Sequence, residues 1–187
     1  MVRKTAATIF GFACLLISLS AQAGYGSARR HWTESGRIYT ATSLNSVLLW
    51  SATYFSPKFR HAFEKQHVKI ESLAPAEADR FIAAQEVQQG KANEFFIGIF
   101  TQQETQEFST DMSTFWKAEL TAGDGTVLKP TAIEMVPIGP YERKMFPYLN
   151  RWNKAYRVFF PNADLGEKFS LTLKSIEGSS SLHWHSH

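Results

Sequence analysis

Two spacings of apolar residues divide this chain near residue 93. Ahead of it, apolar positions recur at intervals of three and four; beyond it they alternate. Leu44, Val47, Leu48, Ala52 and Phe55 fall at helical spacing and predict a first helix. Ser56-Pro57 reads as the start of a second. Serine is a good N-cap, and proline suits the first helical position because the N–H it lacks would be unpaired there. Phe59, Ala62, Phe63 and Ile70 mark the face of that helix, and Glu71–Pro75 breaks it. Ala78, Phe81 and Ile82 predict a third helix, with Gly90 as its stop. Gly24–Gly36 reads as a polar lead-in.

The strand signals begin at Asn93. Glu94–Thr101 is rich in Phe and Ile. Phe115–Thr121 alternates, with Trp116, Ala118 and Leu120 on one face. Gly123-Asp124-Gly125 predicts a turn into a return strand over Thr126–Lys129. Thr131–Val136, Tyr156–Phe160, Glu167–Ile176 and Ser179–His185 complete the set, with a long connection from Pro137 to Trp152. The strands have no crossover helices between them, which argues against a parallel sheet. The expected fold class is α+β. Two or three N-terminal helices (residues 24–92) precede a six- or seven-strand antiparallel sandwich of immunoglobulin-like type (residues 93–187).

The Phe95-Phe96-Ile97-Gly98-Ile99-Phe100-Thr101 and Phe115-Trp116-Lys117-Ala118-Glu119-Leu120 strands, placed after helices, resemble those of exported bacterial proteins with a C-terminal immunoglobulin-like sandwich. The resemblance spans about Ala41–Phe160 and implies a fold only; that group brings no activity with it.

The first 23 residues change the picture of the rest. Arg3 and Lys4 precede an apolar stretch, Thr5–Ser20, and Ala21-Gln22-Ala23 supplies small residues for a signal peptidase. Cleavage after Ala23 leaves 164 of the 187 residues. The apolar run is shorter than the ~20 residues a spanning helix needs. It also continues past Cys14 into Leu15-Leu16-Ile17, against a lipoprotein signal. Cys14 is the sole cysteine, so the mature chain has no disulfide, thiol nucleophile or thiolate metal site. The formal charge of +3 includes Arg3 and Lys4, and no acidic residue leaves with them, so the mature charge is +1. That balance gives no reason to expect nucleic acid as a partner. Without cysteines or an Asn-x-Ser/Thr sequon, the chain reads as a bacterial protein of the periplasm or the medium.

Two clusters carry candidate chemistry. In the long connection, Tyr141, Tyr148 and Trp152 interleave with Arg143, Arg151 and Arg157. Aromatic faces beside cations can hold a glycan, a peptide or another envelope protein by stacking and charge. At the C-terminus His183, His185 and His187 share one side of an extended strand, with Leu182 and Trp184 on the other. Three neutral imidazoles can bind Cu²⁺ or Zn²⁺. The carboxylates Glu104, Glu107 and Asp111 match no calcium loop. No Gly-x-Ser-x-Gly elbow and no phosphate-cradling glycine loop occurs. The expected function is therefore a non-enzymatic binding module of the envelope. Periplasmic copper or zinc binding is the alternative, and a hydrolase ranks last.

Overall fold

The computed structural model describes residues 24–39, 46–102, 108–110 and 115–186. The expected signal segment and the acidic loop residues Glu104, Glu107 and Asp111 lie outside these. The described chain is α+β, with nine strands in two antiparallel sheets and helices over the outer face of one of them.

Helix α1 (Tyr25–Trp32) leads directly into β1 (Thr33–Tyr39), which pairs with β2 (Ser46–Tyr54). This corrects the reading of 24–36 as a polar lead-in and of Leu44–Phe55 as a helix. In β2, Leu48, Trp50 and Ala52 are buried on alternate positions, which is strand periodicity. Helix α2 (Pro57–Glu71) starts as expected: the Phe59 N–H donates to Ser56 Oγ at 3.1 Å, and Pro57 occupies the first turn. It ends where Ser72 turns left-handed, at φ 52°. Helix α3 (Pro75–Gln89) runs to Gly90 as expected, but none of its residues is fully buried.

Strands β3 (Ala92–Thr101), β4 (Lys117–Thr121), β5 (Val127–Leu128), β6 (Ala132–Val136), β7 (Lys154–Pro161), β8 (Lys168–Ser175) and β9 (Gly178–His185) form in the stretches expected to be strands, and β4, β8 and β9 alternate buried and open positions. The Gly123–Gly125 turn forms, with Gly125 at φ 87°. A short helix, α4 (Pro140–Met145), occupies the connection read as a loop. Its sequence carries the signature: proline in the first turn, and Glu142 accepting the Gly139 N–H at 2.8 Å.

The sheets have orders β1-β2-β3-β7-β6 and β5-β4-β8-β9. Nine strands thus replace the six or seven expected, the additional pair being β1 and β2 from the stretch expected to be helical. An immunoglobulin sandwich pairs its strands 1-2-5-4 and 3-6-7; the order here differs because β3 lies between β2 and β7. The helices are not all N-terminal either, since α4 falls between β6 and β7.

Central β3 fixes the layers, because Asn93–Ile99 is buried on both faces. Phe95 faces the second sheet, in edge contact with Trp184 and Phe169. Trp184 Nε1 donates to the Trp32 carbonyl at 3.0 Å, and Trp50 Nε1 donates to Ser180 Oγ at 3.0 Å. Glu94, Phe96 and Gly98 share the opposite face, with the helices over Glu94 and Phe96 and the Tyr148-Leu149 turn over Gly98. Phe96 stacks on Phe146 at 3.9 Å, and Phe146 packs on Phe63 of α2. Among the described residues, no helix is long and apolar enough to cross a membrane.

Candidate functional site

The helices cover only part of their sheet face. Where they stop, the pairings Ser35–Ser51 and Ser51–Gly98 set small side chains in a row, with Arg37, Leu49 and Phe100 in the next row. Ser35 and Ser51 share a hydrogen bond at 2.8 Å. Gly98 has no side chain to fill its place. Tyr148 and Leu149 occupy that space, and a Cβ on Gly98 would lie 2.7 Å from Leu149 Cδ2.

Tyr148 is held by a directed chain of hydrogen bonds. Its hydroxyl donates to the Phe96 carbonyl at 3.1 Å, so the buried Thr53 Oγ1 must donate to Tyr148 at 3.1 Å. Thr33 Oγ1 then donates to Thr53 at 2.7 Å. Burial holds the Tyr148 phenol far above its ordinary pKa, which keeps this donor protonated. Beyond it, Asn153 Oδ1 accepts the Asn150 N–H at 2.7 Å and Asn150 Oδ1 accepts the Trp152 N–H at 2.8 Å. The two asparagines fix a turn that presents Trp152 with 64% of its surface exposed. The Arg151 guanidinium lies 4.7 Å from the Trp152 ring centre.

Trp152, Phe100 and Asn153 form a ridge between two hollows. One, of about 590 Å³, is lined by Ser35, Arg37, Leu49, Ser51 and Tyr148. The other, of about 600 Å³, is lined by Thr101, Gln102, Arg151 and Lys154. Each is large enough for one or two sugar rings or a few amino-acid residues. An exposed indole beside hydroxyls and amides can stack on a ligand and hydrogen-bond its rim.

Under the helices lies a different site. Glu94 is fully buried between two arginines. Its Oε2 accepts Arg60 Nη2 at 2.8 Å, and its Oε1 accepts Arg157 Nε at 2.8 Å together with Arg157 Nη2. Arg60 Nη1 donates to Gln85 Oε1 at 2.7 Å, and its guanidinium lies over the Phe55 ring. Beside this network is a chamber of about 160 Å³ walled by phenylalanines and bordered by His67, Tyr141 and Arg157. Burial lowers the His67 pKa and raises that of Tyr141, and the Tyr141 hydroxyl and His67 Nδ1 share a hydrogen bond at 2.5 Å.

The six residues picked from the long connection therefore separate. Tyr148, Arg151 and Trp152 reach the open groove, Tyr141 and Arg157 border the inner chamber, and Arg143 stands exposed on α4. Sequence reasoning missed Ser35, Ser51 and Phe100, which come from stretches read as lead-in, helix and strand, and Arg37, which fell in no predicted element. It also missed Asn150 and Asn153, whose spacing around Trp152 is a turn signal. The ion pairs join residues 34 and 63 positions apart, a separation at which a single sequence carries no pairing signal. His183 and His185 lie on the exposed side of β9, opposite the buried Leu182 and Trp184. His187 lies outside the described residues. Among the described residues no three His, Cys, Asp or Glu side chains are grouped to hold a metal ion.

No family model matches the chain, and neither a curated protein nor a solved structure matches it.

Proposed function

We propose that this chain is a non-enzymatic binding module of the bacterial envelope, acting in the periplasm or outside the cell, whose Trp152 groove takes a glycan. The export half of this reading rests on the first 23 residues. The ligand half rests on one observation: an indole 64% exposed, on a turn fixed by two asparagine side chains, at the junction of two hollows rimmed by serines, amides and arginines. A large aromatic ring left in water at that cost is suited to stack on a sugar face.

The position of the groove favours a glycan over a peptide. A peptide that adds as a strand needs a free sheet edge. The groove instead crosses the faces of β1, β2 and β3 rather than following the free edge of β1, and β2 and β3 have neighbours on both sides.

The test is sedimentation with insoluble polysaccharides: peptidoglycan, chitin and cellulose. The unaltered protein should be retained on at least one of them, and Trp152→Ala should weaken retention at least tenfold while circular dichroism stays unchanged. Tenfold corresponds to about 1.4 kcal/mol, a modest share for a central aromatic anchor. Retention on none of the three, or equal retention by the variant, overturns the reading.

A further inference from the structure

Resting on the glycan reading of the Trp152 groove, we propose that its ligand is an acidic glycan, one whose sugars carry carboxylates, and that Arg37 and Arg151 select it. The groove carries charge of one sign among the described residues. Arg37 lines the first hollow and Arg151 the second, and no aspartate or glutamate lines either. The whole chain has 20 basic and 17 acidic side chains, so this is a local sorting of charge and not an overall excess.

The nearest described carboxylates are turned away or engaged. Glu34 lies three positions from Arg37 in β1, and strand alternation sets it on the opposite face. Glu94 and Glu134 both lie beside Arg157, and Glu142 accepts the Gly139 N–H. Among the described residues neither Arg37 nor Arg151 has an ion-pair partner. Each lies over an aromatic ring instead. The Arg151 guanidinium is 4.7 Å from the centre of Trp152, and that of Arg37 is 5.5 Å from the centre of the exposed Tyr39. Such a contact uses the face of the guanidinium and leaves its charge unneutralised. The N–H groups along its edge then match the two oxygens of a carboxylate.

The cations stand at the two ends of an apolar platform. Arg37, Leu49 and Phe100 share one row across β1, β2 and β3, and Trp152 stands beyond Phe100, just ahead of β7. Three strand intervals separate β1 from β7, a span of about 14 Å. A glycan lying across it stacks ring faces on the middle and meets a guanidinium near each end. Rings that carry a carboxylate on the rim use both features at once.

The test is titration with two uronate polymers, polygalacturonate and alginate, each against its carboxyl-reduced form, which keeps the sugar chain and loses the charge. At low salt at least one acid should bind at least tenfold more tightly than its reduced form. Arg37→Gln with Arg151→Gln should abolish that preference, and Arg37→Lys with Arg151→Lys should keep part of it. Lys69→Gln with Lys129→Gln removes two exposed cations that line neither hollow and should leave the preference unchanged. Trp152→Ala should weaken binding of the acid at least tenfold. Failure of both acids to bind, equal affinity for acid and reduced form, or a preference that survives in the double glutamine variant overturns the proposal. Acid binding that ignores Trp152→Ala overturns it as well, as adhesion by charge alone. So does tighter binding to phosphatidylglycerol vesicles than to either acid, which would assign the arginines to a membrane. Retention on a neutral polysaccharide that depends on Trp152, without preference for an acid, sinks the charge selection alone and leaves the glycan reading standing.

Discussion

Glu94→Gln keeps the shape of a fully buried side chain and removes its charge. The carboxylate offers acceptors to both arginines: Oε2 to Arg60 and Oε1 to Arg157. An amide offers one acceptor oxygen and an NH₂ group, so one arginine then faces a donor with its own donors. If Arg157 loses its partner, it can turn to water, being 33% exposed. Arg60 is 1% exposed and cannot, and its Nε already lacks a hydrogen-bond partner. Breaking a buried pair by removing one partner costs about 3–5 kcal/mol. Arg60 keeps Gln85 and the Phe55 ring, and Arg157 regains water, so about 3 kcal/mol is expected. Domains are stable by about 5–15 kcal/mol, so the loss should lower the melting temperature by about 6–12 °C. Urea unfolding followed by tryptophan fluorescence measures it, with the m-value unchanged. Arg157→Gln leaves the Arg60–Glu94 pair intact and should cost only about 1 kcal/mol. A loss below about 1 kcal/mol for Glu94→Gln, or equal losses for the two variants, refutes this account of the triad.

Further predictions concern single contacts. Ser56→Ala removes the acceptor for the Phe59 N–H and should cost about 1 kcal/mol in urea unfolding. Gly98→Ala places a methyl 2.7 Å from Leu149 Cδ2 and 3.1 Å from Tyr148, so it should cost about 1–3 kcal/mol and shift the fluorescence of Trp152. An unshifted spectrum would show that the Tyr148 wedge does not position that ring. His67 has a lowered pKa because burial disfavours the imidazolium, with Glu71 opposing weakly. The unfolded chain then binds the proton more readily, so stability is full above the ordinary histidine pKa and falls as pH drops through it toward the lowered value. His67→Gln should flatten that part of the profile between pH 7.5 and 5; identical slopes in the two proteins would exclude it.

Elements with strong local signals were legible in the sequence. Ser56-Pro57 and Gly90 mark the ends of α2 and α3, and alternation marks β4, β8 and β9. β2 was misread for a physical reason. Val47 and Leu48 are adjacent and both buried, so its apolar residues also satisfy a helical spacing. The decisive period was Leu48-Trp50-Ala52, against the polar Ser51 and Thr53 of the other face. β1 escaped because it is an edge strand in which Ile38 alone is fully buried. The aromatic and basic character of the long connection was legible, but its division between an open groove and an inner chamber was not. That division is made by Gly98, which admits Tyr148 on one side, and by Glu94, which draws Arg157 inward on the other.

The bond from Trp184 to the Trp32 carbonyl joins residues 152 positions apart. β3 likewise must wait for β7, since Ile97 pairs with Tyr156. A fold dominated by such distant pairings belongs among those that form in milliseconds to seconds rather than microseconds. For a chain delivered N-terminus first, whether by a ribosome or through a membrane pore, β9 follows every other described strand and yet fastens the end of α1. The corner around Trp32 therefore stays open until β9 has emerged, and the helices α2 and α3, built from local contacts, are the parts that can form meanwhile.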